Sequence, residues 1–579
     1  MDSRTAAHVL ETIAAYLELK GENTFKCRAY AGAAKGLRAF GADDLAESYR
    51  SGELANVRGL GPATLAVVKD LIDTGESRYL EQLREAAPEG LLAMLDIPGL
   101  TPARIHQIHE RLNIATVDEL EAAAQDGRLA TLPRLGARTA AKILKGIASA
   151  RENQSLRLYH HGLAEAEPIL ASVRSHPDVV RAEIAGSIRR RMEVVGVVSV
   201  VAACTGNPAA VAESFTRLPG VRTSSVTGGS ASIEYVDGAR VELCCVPPEE
   251  FGVALWQMTG SAVHIADVTE RLSARGMAVN GAELRDRRKR RVSTEEEADV
   301  YAAAGLPVIE PELREGMGEV GAAADGRLPH LLAGADIRGV LHCHSDYSDG
   351  NATIAKMAAA ARRRGWSYIG ITDHSQAAFY AGGLPRERVL EQHDEIDTLN
   401  SASADFRILK GIEADILADG QLDYGDDLLD RFDYVIGSIH SRFSMDLVSM
   451  TDRVLNALDD PRLTILAHPT GRLLLSRDPY AIDLAAVIEK AAEVRAAIEL
   501  NADPHRLDLD WRNLFAAKRR GVTIEIGPDA HSTTGLDYMD IGIGIARKAW
   551  LEPADVLNTR SADDVVAFAR ARRSVPTTG

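Results

Sequence analysis

From Gly339 onward the sequence repeats one pattern, a short run of apolar and β-branched residues that ends in histidine, aspartate or glutamate. VLHCH, YIGITDH, RILKGIEADI, YVIGSIH, LTILAHP, AAIELNA and TIEIGPDAH read as strands, with helical patterns such as ATIAKMAAAARRRG and AIDLAAVIEKAAEVR between them. Strand and helix in alternation predict a parallel sheet, and seven such units predict a distorted (β/α)7 barrel. Nearly every strand ends in a side chain that can hold a metal: His342 and His344 with Asp349 just beyond, then His374, Glu413, His440, His468, and Asp529 with His531. In a parallel barrel the C-terminal strand ends share one rim, so these nine residues are predicted to converge. One such histidine alone reads as a hydrogen-bonded core or rim residue. Six of the chain's 16 histidines in equivalent positions do not. Imidazoles mixed with carboxylates suit Zn²⁺ or Mn²⁺, and nine ligands are too many for one ion but enough for two or three. Clustered ions of this kind serve phosphoester hydrolysis, because they activate water and clamp the attacking and leaving oxygens.

The first part of the chain carries a different signal. Val9, Leu10, Ile13, Tyr16 and Leu17 recur at helical spacing up to Gly21. Three tight turns then each precede an amphipathic helix, in VRGLGPATLAVVKDLIDTG, DIPGLTPARIHQIHERLNI and LPRLGARTAAKILKGI. This is a helix-hairpin-helix pattern, in which backbone N–H groups at a helix N-terminus face a DNA phosphate without reading sequence. Gly59, Gly61, Gly99 and Gly136 are the candidate backbone contacts. Only the first turn keeps both glycines, since Thr101 and Arg134 replace one in the second and third. Between residues 156 and 250 short strands alternate with helical stretches. FGVALWQMTGSAVHIADVTERLSARG then reads as helical, and a Gly/Ala-rich connector around Gly321–Gly334 reads as the main domain boundary, permitting domain motion.

Charge qualifies the DNA reading. The 66 Lys+Arg against 83 Asp+Glu give −17, which argues against binding through bulk positive charge. By position, residues 1–150 hold 18 basic and 20 acidic side chains, while residues 331–579 hold 28 and 38, so the acidity lies with the barrel and its carboxylate ligands. The longest strongly apolar run, VVGVVSVVAAC from Val194, is too short to span a bilayer. The first residues lack an apolar signal core, and the five cysteines form no CxxC pair. A cytosolic, reduced, nucleoid-associated protein with no membrane partner is expected.

HCHSDYSDG, GITDHS, GIEADIL, GSIHS, AHPTGR and PDAHS resemble the motifs of the PHP (polymerase and histidinol phosphatase) domain from about Asp336 to the C-terminus, with all nine ligand positions filled. Pro528 stands where threonine is more usual, which removes no ligand. The helix-hairpin-helix motifs followed by GSIRR, TGSAVH and LPVIEPELREGMGE resemble a family X DNA polymerase. The whole chain therefore looks like a bacterial family X polymerase with a C-terminal PHP domain. This resemblance implies a multidomain α+β and α/β protein: helix-hairpin-helix domains at 1–80 (8-kDa-like) and 81–155 (fingers-like), a mixed-sheet palm at 156–250, a thumb at 251–317, a linker at 318–335 and the PHP barrel at 336–579. It also implies that Gly186, Ser187 and Arg190 hold a triphosphate and that Thr259, Gly260 and Ser261 sit against its sugar.

Nucleotidyl transfer needs three carboxylates around two Mg²⁺ ions. The family places two aspartates one residue apart after GSxRR and a third on a neighbouring strand. Here Val197 and Ser199 stand at the paired positions and Glu242 at the third, with Glu193 the nearest other acid. Weak Mg²⁺ binding and weak or lost polymerase activity are expected. The position of the family's Schiff-base lysine is Val67, with Lys69 on another side of the helix, so no lyase activity is expected. RDRRKRR (Arg285 to Arg291) reads equally as a phosphate track or a solvated loop, and Arg362 to Arg364 as a favourable helix C-terminus. The leading reading is a DNA repair protein whose PHP barrel is a metal-dependent 3′-5′ exonuclease, while the polymerase-like half grips gapped, nicked or primed DNA. A gap-filling polymerase with PHP proofreading, with Mn²⁺ as a candidate cofactor, is one alternative, and a non-catalytic DNA end-binding scaffold another. A small-molecule phosphatase fits the barrel but leaves the helix-hairpin-helix motifs unexplained. DNA and a dNTP are the expected partners of a monomer.

Overall fold

In a computed structural model, residues 3–40, 45–86, 88–95, 97, 100–133, 135–153 and 155–574 are described. The chain divides into two compact units, Met1–Ile188 with Val194–Thr259 and Leu272–Ala303, and Arg189–Glu193 with Gly260–Arg271 and Ala304–Gly579. No helix among the described residues is long and apolar enough to cross a membrane.

The first unit starts with helices around two apolar cores. One gathers Leu10, Ile13, Tyr16 and Leu17 of the Ser3–Leu19 helix with Leu37, Val67 and Leu71; the other gathers Ile105, Ile108, Leu120, Ile143 and Ile147. Each predicted turn leads into its helix, at Pro62–Thr74, Pro102–Leu112 and Ala137–Asn153. Thr101 proves useful where a glycine was expected, because its side chain caps its helix by accepting from the Arg104 N–H at 3.3 Å. Gly99 and Arg134 lie outside the described residues. A five-stranded mixed sheet follows, ordered Val179–Ala185, Val198–Cys204, Arg240–Val246, Ser230–Tyr235, Val221–Thr227. Its second and third strands are parallel and its other pairs antiparallel. The stretch read as one helix from Phe251 is two, Phe251–Thr259 and Ala262–Ala274, broken where Gly260 takes φ +73°. The Arg285 to Arg291 run forms a hairpin between Glu283–Arg285 and Arg291–Val292. Three of its arginines pair with local acids, Arg285 with Glu283, Arg290 with Asp286, and Arg291 with Glu250.

The second unit contains the seven strands read from the sequence, all paired in parallel. Gly339–Val340, Tyr368–Ile371 and Arg407–Lys410 form one sheet; Glu413–Asp415, Val435–Ser438, Leu463–Leu466, Ala497–Asn501 and Ile524–Gly527 form the other. RILKGIEADI is split between the two at Gly411, where a Cβ would sit 2.6 Å from the Thr372 side chain. Isolated parallel bridges, His374 to Glu413 and Cys343 to Ala530, join the sheets, so the ring is distorted where metal-binding motifs interrupt regular pairing. The segment expected to be a mobile linker is instead packed. Its Glu319–Ala324 helix buries Val320, Ala322 and Ala323, and Glu319 lies 2.8 Å from His264 with both side chains fully buried. Alanine and glycine there allow close packing, which composition alone reads as flexibility.

The two glycines of the first turn differ in what they do. Gly59 takes φ +91°, and a Cβ there would lie 2.6 Å from the Gly32 carbonyl oxygen. Gly61 begins the next helix with nothing within 4 Å of a Cβ. Gly59→Ala is expected to cost about 1–3 kcal/mol in denaturant unfolding, and Gly61→Ser to leave stability within about 0.5 kcal/mol.

Candidate metal centre

The nine predicted ligands belong to the second unit and come together at the strand ends. The strands delivering them are short and wholly buried, as in Tyr368–Ile371, Val435–Ser438 and Leu463–Leu466, so each polar strand-end residue emerges from a rigid apolar base. Glu413 is at the middle, 1% exposed. Its carboxylate lies 2.8 Å from His374, 3.1 Å from His468, 3.3 Å from His440 and 3.6 Å from both His342 and His344. Asp529 approaches His344 at 3.2 Å, and Asp349 approaches His531 at 3.3 Å and His374 at 3.6 Å.

Three overlapping groups have ligand atoms within 4.8 Å of one another: His344, Asp349, His374 and His531; His342, His344 and Asp529; His374, Glu413 and His440. The fit to divalent metal rests on unspent donors. His342 Nε2, His344 Nδ1, His374 Nδ1 and Glu413 Oε2 are buried without a well-directed hydrogen bond, although His374 Nδ1 and Glu413 Oε2 face each other at 2.8 Å, and a bound cation would take up these donors. The donors are imidazole nitrogens and carboxylate oxygens, a set suited to Zn²⁺ or Mn²⁺.

Several imidazoles are also aimed from behind. His342 Nδ1 lies 2.5 Å from Glu499, His440 Nδ1 2.6 Å from Asp415, and His531 Nδ1 2.8 Å from the Asp529 carbonyl. Such contacts fix the ring and turn Nε2 toward a metal. Glu499 also accepts from the His468 backbone N–H at 2.6 Å. His468 and Asp529 have φ of 27° and 51°, strained for residues with side chains and held here by their surroundings. Asp373, beside ligand His374, accepts from the Ser345 hydroxyl and the Gln392 amide.

The sequence reading missed Asp415, Glu499, Asp373 and Arg506. Asp415 follows Glu413 at the two-residue period that returns to the same strand face, and Glu499 is a lone acid in a wholly buried five-residue strand; both are signals in the sequence. Arg506 brings a guanidinium 3.7 Å from Asp529 and comes from an irregular segment with no periodic signal.

Protonation follows from this arrangement. Burial, with His374 and His531 close by, pulls His344 down to about 3, and burial with Arg506 nearby pulls His468 to about 4, so both rings are neutral and ready to ligate. Burial also opposes charge on His374, His440 and His531. Facing carboxylates outweigh it, Glu413 first for His374 and His440 and Asp349 for His531, lifting them to about 10, 9 and 9. Against burial, His374 and His440 hold Glu413, and His342 and His344 hold Asp529, well below the usual carboxylate range.

The first unit holds a contrasting set. Ser199 and Glu242 are register partners on adjacent parallel strands, and a Cβ on Gly186 would approach Ser199 Oγ to 2.8 Å. Of the three positions expected to carry polymerase carboxylates, Val197, Ser199 and Glu242, only the last is acidic. Glu193 belongs to the second unit, where it is buried with Arg472 at 2.5 Å and Arg512 at 3.8 Å. Thr259 is buried in the first unit, while in the second Arg190 lies 2.9 Å from Glu315 and close against Gly260. Ser261 Oγ accepts from the His264 N–H at 3.4 Å, capping the following helix. Val67 is buried and Lys69 lies 2.5 Å from Asp73 on an exposed face.

Ligation must displace protons from His374, His440 and His531. Mn²⁺ binding is therefore expected to release protons and to keep tightening as pH rises toward about 9 to 10, where these rings lose their protons. Asp415→Asn and Glu499→Gln are each expected to weaken Mn²⁺ about 10- to 100-fold by calorimetry, without moving a ligand.

Comparison with known proteins extends these observations. Residues 341–503 match the PHP domain, 254–315 the DNA polymerase beta thumb, 1–77 a helix-hairpin-helix domain and 91–149 a SAM-like helix-hairpin-helix tandem. The chain is 37% identical over 572 residues to the DNA polymerase/3'-5' exonuclease PolX of Bacillus subtilis, an alignment covering 98% of this chain and 99% of that protein. Probable phosphatases of Caldanaerobacter subterraneus and Shewanella oneidensis are each 28% identical over 38% of this chain and 86% of their own length. With one similarity running end to end and the others confined to part of it, the chain belongs to the family X DNA polymerases that carry a C-terminal PHP domain.

Proposed function

We propose that the PHP barrel is a 3′-5′ exonuclease acting in DNA repair at the nucleoid, while the polymerase-like half of a monomeric protein grips gapped or nicked DNA and adds nucleotides poorly. Two or three Mn²⁺ or Zn²⁺ ions would be held by His342, His344, Asp349, His374, Glu413, His440, His468, Asp529 and His531. The observation that carries this reading is the contrast between Glu413, faced by five imidazoles, and Glu242, whose register partner is Ser199.

Bound divalent ions would supply the Lewis acidity that eases ionisation of water and stabilises charge gathering on the phosphate. The residues supply placement. Glu499 and Asp415 hold the His342 and His440 rings in orientation, and Arg506 adds permanent positive charge beside Asp529. Hydrolysis adds water across the P–O3′ bond. The water oxygen bonds to phosphorus, the 3′ oxygen leaves with the remaining proton, and a nucleoside 5′-monophosphate separates from a strand one nucleotide shorter. The helix starts at Gly61 and Gly136, open at the Cβ position, give phosphates room to approach backbone N–H groups. Any dNTP contacts fall to Gly186, Ser187, Arg190, Thr259, Gly260 and Ser261, with Arg190 already engaged by Glu315.

Labelled primed DNA with Mn²⁺ tests this. Stepwise 3′ shortening is expected from the wild type, reduced at least about 100-fold by His342→Ala with His344→Ala, alongside little primer extension in Mg²⁺. Equal degradation by wild type and variant, or robust Mg²⁺-dependent extension abolished by Glu242→Ala, would overturn it.

A further inference from the structure

Immediately after ligand His374 the chain forms a short loop, residues 375–384, whose base is closely tied. The Ser375 N–H donates to the Glu413 carbonyl at 3.0 Å, the Leu384 N–H returns to the His374 carbonyl at 2.9 Å, and the Tyr424 hydroxyl donates to the Leu384 carbonyl. Asp423 accepts from the Ala377 N–H at 2.5 Å. Ala378 and Ala381 are buried, and a Cβ on Gly382 would lie 3.5 Å from the carbonyl oxygen of Ser348, the neighbour of ligand Asp349. The loop is therefore tied at its base to the backbone of His374 and Glu413 and to Asp423 and Tyr424.

At its tip Phe379 is 85% exposed and Tyr380 62% exposed. Their rings stand 6.1 Å apart at 78°, and the Tyr380 ring stands edge-on to ligand His440 at 6.3 Å. A single exposed aromatic needs no explanation. Two in succession on a tied loop, one touching a metal-ligand ring, are different, since a loop this constrained cannot fold them away from water. A nucleobase is the flat apolar group that accompanies a scissile DNA phosphodiester, and bases of any identity stack on aromatic rings.

We propose that Phe379 and Tyr380 form a stacking platform for the unpaired terminal base of the strand being shortened. The inference rests on the reading of the barrel as a DNA exonuclease and adds the two side chains that would meet the terminal base. Both side chains would bind the base and take no part in the bond changes at phosphorus.

The test compares Mn²⁺-loaded wild type with Phe379→Ala plus Tyr380→Ala on a single-stranded oligonucleotide ending in thymidine or in a tetrahydrofuran abasic residue. On the thymidine end the variant is expected to lose about 10-fold in kcat/KM or more, chiefly through KM. On the abasic end it should match wild type within about 2-fold, and Phe379→Trp should retain activity. Equal losses on both ends, or none on either, would overturn the platform. A 3′-terminal 2-aminopurine strand, bound in Ca²⁺ without turnover, separates the two readings. Quenching by wild type and not by the variant supports the platform even if no nucleotide is released, in which case the exonuclease assignment alone fails.

Discussion

A carboxylate shut away from water and faced by five imidazoles is the arrangement on which the C-terminal half depends. Glu413 cannot be solvated, and removing one member of a buried charged set typically costs about 3–5 kcal/mol. Its neighbours must therefore be placed with care. The seven parallel strands do this by ending together, and the strained backbone at His468 and Asp529 is the local consequence of turning side chains inward at that rim. Behind the first layer stand Glu499 and Asp415, which fix the His342 and His440 rings so that His342 Nε2 is left without a hydrogen bond and His440 Nε2 faces Glu413.

In the polymerase-like half the family and the side chains at the expected site point to different readings. Its mixed sheet brings Ser199 and Glu242 side by side beneath Gly186, the neighbourhood in which a nucleotidyl-transfer site is expected. A serine and a valine cannot supply the negative charge that two Mg²⁺ ions need. Membership in the polymerase family is a statement about ancestry and fold, and activity is a statement about these side chains. The glycines of the helix-hairpin-helix turns divide in the same way. Gly59 is needed by the fold, whereas Gly61 leaves its Cβ position open while its own N–H donates to Thr64.

Much of this was legible in the sequence. The seven strand runs, each with its polar terminus, located the barrel and the nine clustered residues, because period-two burial and strand-end chemistry are local properties. The supporting acids were harder to see. Glu499 and Asp415 look like ordinary acids until the sheet register sets them behind His342 and His440. The packing within 318–335 is not legible in composition, because small residues signal both flexible linkers and tight packing, and the burial of Glu319 against His264 separates the two. Phe379 and Tyr380 left no periodic trace, being a loop tip defined by what ties its base.

The central claim is that metal chemistry belongs to the barrel and not to the polymerase-like site. Anomalous diffraction at the manganese edge from Mn²⁺-soaked crystals tests it most directly. Two or three peaks flanking Glu413, with none beside Glu242 and Ser199, are expected. A strong peak at Glu242 with none around Glu413 would contradict the account.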